Sequence, residues 1–428
     1  MKIKKIKPGY LFSTGYTNYI FVLLFLLYMF DYLDRTVVSS MFTYMEKDWG
    51  LTHKQCGLLV SSVYWAIVLI TFPVSILVDR WSRRKTIGVM AVLWSLATAL
   101  CAFTGNFMQL LLARMLIGVG EAGYAPGGTA MIAGLYPQEK RSQMIGIWNA
   151  SIPLGTALGM ALGGLIASTL GWKHAFGLVA IPGFIVAILF FFIKDYKTVG
   201  LNLPKSGKQE EKTTRSAIIN EFLQKPSFIY TSFGMAAVIF VTTSLWTWLP
   251  KYFQESIGLN EKQAGFRGGI VLFLAIIGGP IGGFLTDRWR KHNIRARLLF
   301  PTLTTSLSAI LLFIALNFTS GISQFIVLLV FGISVTAFAS AVIAVTQDVI
   351  HAGLRAVSYS IAVVVQNLLG ASTAPVIIGA LYDKWGIQEA MLVLPFVLMA
   401  GAILFYLGSR YYESDFNKVI KVDLEAED

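Results

Sequence analysis

Five ionisable residues stand in runs that are otherwise apolar: Asp31, Asp34 and Arg35 early in the chain, and Arg114 and Glu121 further on. At the centre of a lipid-embedded helix a charge costs at least about 2.5–3.5 kcal/mol, so such residues are functional candidates from the outset. The chemistry open to this set is an exchange of partners. A buried carboxylate holds an arginine as an ion pair. Once it takes a proton, the planar guanidinium is free to grip a carboxylate or phosphate from outside. Asp31, Asp34 and Glu121 are therefore the proton-binding candidates, and Arg35 and Arg114 the anion-binding ones. On a helix, the i, i+3, i+4 spacing of Asp31, Asp34 and Arg35 predicts one shared face. Arg114, Gly118 and Glu121 form an i, i+4, i+7 stripe, with its two charges about 10 Å apart along the axis. They are too distant to pair with each other without long side-chain reach, so each is expected to look across to the first helix. The alternative role is structural, a buried pair that holds two helices in register.

The elements that carry these residues follow from composition. Of 428 residues 55% are hydrophobic and only 14% charged, and mean hydropathy is +0.65. Soluble domains carry about 25% charged residues, so an ordinary soluble enzyme is excluded. Apolar runs of about 20 residues mark spanning helices, and twelve are expected, near 18–42, 54–78, 86–104, 107–135, 142–169, 173–193, 227–250, 262–286, 297–316, 321–347, 356–381 and 388–410. A first helix begun at Tyr10 would end at Phe30 and leave Asp31, Asp34 and Arg35 in an outer loop. The Ser, Thr, Tyr and Asn of 10–19 favour the later start. The expected organisation is a six-helix bundle over 1–193, a cytoplasmic linker over 194–226, a second bundle over 227–411 and a cytoplasmic tail over 412–428.

The net charge of +12 reports topology rather than a nucleic-acid partner. With the N-terminus inside, 26 of the 35 Lys and Arg residues fall in inner segments and six in outer loops, the bias expected of cytoplasmic loops. Both termini are then cytoplasmic and the membrane is the inner or plasma membrane. The basic start resembles a signal peptide, but no small-residue cleavage site follows, so it reads as a retained first helix. Cys56 and Cys101 offer neither a disulfide framework nor metal-ligand spacing. No phosphate-binding loop and no His-Glu-x-x-His is present, and the four histidines, His53, His174, His292 and His351, lie near loops. No cofactor, metal or enzymatic activity is expected.

Positions 50–85 and 258–293 align without a gap at an offset of 208, with ten of 36 pairs identical. The identities cluster at the polar ends: Gly50-Leu51 with Gly258-Leu259, Lys54-Gln55 with Lys262-Gln263, and Asp79-Arg80-Trp81 with Asp287-Arg288-Trp289. Two halves related by repetition are a transporter signature, with substrate bound near the midplane between them.

At these residues the chain resembles the major facilitator superfamily. The family's inner-loop motif, broadly Gly-x-x-x-Asp-Arg-x-Gly-Arg-Arg, is matched by Ser75 through Asp79, Arg80, Ser82, Arg83 and Arg84, and again by Gly283 through Asp287 and Arg288. Gly155, Gly159, Gly163 and Gly164 give the fifth helix small-residue spacing for close packing. The resemblance covers essentially the whole chain and implies a twelve-helix, all-α integral membrane fold. Two branches are similar. Tyr32-Leu-Asp34-Arg35, Arg114 with Glu121, and Thr247-Trp248-Leu249-Pro250 resemble the anion:cation symporters, which move sugar acids and other organic anions with protons. Asp79-Arg80-Trp81-Ser82-Arg83, Gly118-Val-Gly120-Glu121-Ala122-Gly123, Ile152-Pro153-Leu154-Gly155 and Gln347-Asp348 with Arg355 resemble the spinster-like branch, associated with lysolipids and lipid phosphates.

The resemblance further implies that Asp79, Arg80, Arg83, Asp287, Arg288, Asp348 and Arg355 latch an inner gate. A solvated basic rim is the plainer reading of the same residues. Tyr28, Tyr32, Tyr124, Trp148, Asn149, Gln366 and Asn367 are polar or amphipathic residues at mid-helix depth, where they either contact a substrate or pack helices together. Arg267 either lines a gate or snorkels to the interface. The function expected is proton-coupled symport of a small organic anion, such as a sugar acid, by a monomer in the lipid bilayer. The other reading is a spinster-like carrier of lysolipid or lipid phosphate.

Overall fold

The computed structural model describes residues 11–80, 82–195, 224–350 and 355–419, and among these there is no β-strand. The first six helices are Thr14–Val37, His53–Arg80, Arg83–Cys101, Phe107–Glu121 with Tyr124–Leu135, Gln138–Asn149 with Ser151–Leu170, and Trp172–Phe191. The other six are Pro226–Ile257, Glu261–Phe273 with Ala275–Arg290, Ala296–Asn317, Gly321–Ser334 with Ala339–Asp348, Arg355–Gln366 continuing to Ala374–Trp385, and Ile387–Met391 with Val393–Asn417. Each corresponds to one span expected from the apolar runs. A one-turn 3₁₀ segment and the helix Phe42–Trp49, not foreseen, follow the first span. Among the described residues ten helices are long and apolar enough to cross a membrane. The two spans outside that set are the first and the fourth, which carry Asp31, Asp34, Arg35, Arg114 and Glu121, all buried.

The sequence repeat reappears as matched local geometry. Gly50 and Gly258 both adopt a left-handed backbone, at φ 62° and 74°, which glycine enters without a Cβ penalty. Just beyond them, Thr52 Oγ1 accepts from the Gln55 N–H at 3.2 Å and Asn260 Oδ1 from the Gln263 N–H at 2.9 Å. The same cap therefore starts the second and the eighth helix, satisfying donors that a helix leaves unpaired at its first turn. Gln55 also returns the bond, its Oε1 accepting from the Thr52 N–H at 2.9 Å.

Helix one is held by helix five through glycine. A Cβ on Gly155 would strike the Met29 carbonyl, and one on Gly159 or Gly163 would strike the main chain at Leu33 or Val37. The near backbones let hydroxyls bond across: Thr36 Oγ1 donates to the Thr156 carbonyl at 3.3 Å and Ser40 Oγ to that of Met160 at 2.9 Å. In lipid, close approach and such hydrogen bonds replace the hydrophobic effect as the source of helix association.

The chain divides into two units. One gathers Met1–Thr198, Ser244–Phe273 and Pro375–Ile387; the other gathers Val199–Thr243, Leu274–Ala374 and Gln388–Asp428. Asp31, Asp34, Arg35, Arg114 and Glu121 all belong to the first. In the second, Asp415, buried on helix twelve, caps the start of helix seven by accepting from the Ser227 N–H at 2.9 Å and from its hydroxyl at 2.6 Å.

Gly155→Ala is expected to lower the thermal unfolding temperature in detergent by an overpacking cost of about 1–3 kcal/mol. Gly146→Ala, placed where a Cβ meets nothing within 4 Å, should leave it unchanged. Equal melting of the two variants would contradict glycine-mediated packing of helices one and five.

Candidate functional site

Consecutive helical residues point 100° apart, and this corrects the expectation of one shared charged face on helix one. Asp31 and Arg35, one turn apart, pair with each other: Arg35 Nη2 lies 2.9 Å from Asp31 Oδ2 and 3.1 Å from Oδ1. Asp34 turns instead to helix three, where Thr98 Oγ1 donates to its Oδ2 at 3.0 Å. The two neighbours thus serve different partners.

Glu121 reaches across as its spacing from Arg114 required. Its Oε2 lies 2.9 Å from Arg35 Nε. The contact is an ion pair without the alignment of a hydrogen bond, and among the described residues neither Glu121 oxygen receives a donor. Asp34 Oδ1 is likewise without one. Helix four breaks directly after Glu121. Pro126 has no N–H for the Ala122 carbonyl, and Thr71 of helix two supplies the missing donor at 3.2 Å.

Arg114, the second anion-binding candidate, is held differently from Arg35. It too reaches helix one, but its partners are main-chain carbonyls: Nη1 to Asp34 and Nη2 to Arg35, both at 3.2 Å, and Nε to Leu59 of helix two at 3.0 Å. With 0% of its surface exposed, its fork is spent on joining helices one, two and four. Arg35, at 9%, is the most exposed of the five charges. Its guanidinium lies 4.6 Å from the centre of the Tyr32 ring and 5.6 Å from that of Tyr64, an aromatic embrace that tolerates a weakly hydrated cation.

Behind Tyr32 the aromatic residues pack in series. Tyr28 meets Tyr32 edge to face at 5.3 Å and stacks on Trp148 at 4.2 Å, while Tyr32 touches Trp246 of helix seven at 6.4 Å. Tyr124 and Trp148 both donate to the Leu24 carbonyl, at 2.5 and 3.2 Å, so their polar atoms are used on helix one. Asn149 is exposed, Arg267 is half-buried on helix eight, and Gln366 and Asn367 are half-buried in the second unit, where Asn367 opens a π-turn.

Of the expected inner-gate residues, the Asp79, Arg80, Arg83 and Arg355 side chains lie outside the described residues. In the second unit Asp348 accepts from the Tyr412 hydroxyl at 2.8 Å and lies 3.5 Å from Arg290 Nη2 and 3.6 Å from Arg297 Nε. Arg297 Nη1 also donates to Asp287 at 2.8 Å, and Arg288 is exposed beside it. Arg297 thus joins two aspartates that the motif presents separately. Thr98, Tyr64, Thr71, Trp246 and Arg297 were not foreseen. For the three hydroxyls the available signal was a group in an apolar helix that must find a partner.

A helical membrane protein with an internal repeat and a buried set of ion pairs belongs to the class of secondary transporters. The chain belongs to the Major Facilitator Superfamily, whose family profile matches residues 24–375. It is 27% identical to Protein spinster homolog 1 of Xenopus laevis over 431 residues, covering 93% of this chain and 82% of that protein. It is 29% identical over 282 residues to the Hexuronate transporter of Bacillus subtilis (strain 168), covering 66% and 67%. Its fold matches the crystal structure of a bacterial homologue of the human lysosomal transporter spinster, inward-facing and unoccupied, at TM-score 0.83, 22% identity, and coverage of 94% of this chain and 99% of the other. These relatives are transporters, not enzymes.

Arg114→Leu removes three buried hydrogen bonds that join helices one, two and four and should destabilise the protein by about 3 kcal/mol or more, seen as loss of monodisperse protein or a large fall in melting temperature. A variant of normal stability with altered ligand affinity would instead make Arg114 a ligand contact.

Proposed function

We propose that this transporter is a proton-coupled symporter of a small organic anion, working by alternating access between two six-helix halves. The observation that carries the reading is Arg35. It is more exposed than Asp31, Asp34, Arg114 and Glu121, and is bracketed by Asp31 and Glu121. While both carboxylates are ionised, the guanidinium is occupied. A proton on Glu121 removes one partner, and a substrate carboxylate takes the vacated side of the fork with bidentate geometry. Proton and anion then enter together with little change in net charge. Each surplus proton carried contributes about 2.3 kcal/mol per 100 mV of membrane potential. Asp34, tied to Thr98, is a second proton carrier, and Tyr28, Tyr32 and Tyr64 form the walls.

Similarity to a hexuronate transporter supports a sugar acid as the anion. The longer coverage of spinster homologues supports the second reading, a lysolipid or lipid phosphate on the same arginine. The 26 to six distribution of basic residues supports cytoplasmic termini in an inner or plasma membrane, with the protein acting as a monomer.

Proteoliposome uptake of hexuronates and of lysophospholipids, with and without an inward proton gradient, tests the reading. Saturable hexuronate uptake driven by the gradient is expected, with Glu121→Gln abolishing the gradient response and Arg35→Ala abolishing uptake. Gradient-driven uptake unaltered in Glu121→Gln would contradict the mechanism, and lysolipid uptake alone would select the second reading.

A further inference from the structure

The first unit holds a second group of charges, at the end that the basic-residue bias assigns to the outside. His53 opens helix two there with a carboxylate at each ring nitrogen. Its Nδ1 lies 2.7 Å from Asp383 Oδ1 on helix eleven, off the axis of a hydrogen bond, and its Nε2 lies 3.5 Å from Glu46 Oε1. Asp383 also accepts from the His53 N–H at 2.8 Å and the Lys54 N–H at 2.9 Å, capping helix two. The imidazole stacks on Tyr382 at 3.5 Å and 10°. Glu46 in turn holds Lys251 of helix seven at 2.5 Å, and Lys251 lies 3.4 Å from Glu255. Cys56 completes the surroundings, its Sγ 3.9 Å from Glu46 Oε1.

A neutral imidazole has one donor nitrogen and one acceptor, whereas an imidazolium donates from both. A ring with a carboxylate at each nitrogen is therefore complementary to the charged form. Deprotonated, it would turn a lone pair toward an anionic oxygen, in a cluster of three carboxylates, Glu46, Asp383 and Glu255, where Lys251 is paired with Glu46 and Glu255. These contacts join a segment of the first half to helices seven and eleven of the second.

We propose that His53 is a proton-binding site separate from Asp31, Asp34 and Glu121, and that its proton latches the outer ends of helices two and eleven together. A proton on the ring makes donors of both nitrogens that face the two carboxylates, so acidity on that face strengthens the latch and alkalinity releases it. The latch is independent of which anion Arg35 carries and rests on the transport reading only for its purpose.

Hydrogen–deuterium exchange of the full chain in lipid nanodiscs tests it, with rates corrected for the chemical effect of pH. Segments 44–58 and 377–390 of the wild type should exchange several-fold more slowly at mildly acidic than at mildly alkaline pH. His53→Gln should remove that difference, and Glu46→Gln, which keeps the histidine and one carboxylate, should reduce it. A pH-independent wild type, or a response unchanged in Glu46→Gln or in a folded His53→Gln, overturns the proposal. Failure of uptake in Glu121→Gln would leave this readout unaffected.

Discussion

The structure is organised around the cost of keeping a guanidinium out of water. Arg35 is charged at any accessible pH, so helices one and four must supply its counter-charges and the surrounding rings must accept what remains. Asp31 and Glu121 do the first, Tyr32 and Tyr64 the second. Removing one partner from a buried pair costs several kcal/mol because the other is left unmatched. Under the proposed mechanism that penalty would make the site a switch, a proton on Glu121 becoming favourable when another anion reaches Arg35 at the same time.

A switch of this kind needs a rigid frame, and Arg114 supplies much of it. By gripping the carbonyls of residues 34, 35 and 59 it sets helix one against helices two and four, at the turn of helix one that carries Asp34 and Arg35. Gly155, Gly159 and Gly163 press helix five onto the opposite side of helix one. The two arginines thus differ, Arg114 fixed on main chain and Arg35 held by the carboxylates of Asp31 and Glu121.

Spans and charged positions were legible because a membrane chain has so few charges that each one stands out against an apolar background. Asp31, Arg35 and Glu121 could be named, and their meeting across helices one and four anticipated, from spacing alone. The partners were harder to see. Thr98 and Tyr64 are ordinary residues in an apolar helix, and the carbonyls that occupy Arg114 have no side-chain signature at all. Spacing at i, i+3 and i+4 suggests one face for Asp31, Asp34 and Arg35, yet adjacent residues diverge by 100°, and this sends Asp34 to a different neighbour. The break in helix eight lies inside the unbroken apolar run 270–277, so hydropathy gave no warning of it.

The central claim is that Arg35 exchanges a carboxylate of the protein for one of the substrate as Glu121 takes a proton. Proton uptake on ligand binding, read with a pH indicator in weakly buffered, purified protein, measures that exchange without any transport step. About one proton is expected to enter for each organic anion bound at neutral pH, and none in Glu121→Gln that still binds the anion. Anion binding to the wild type with no proton taken up would contradict the account.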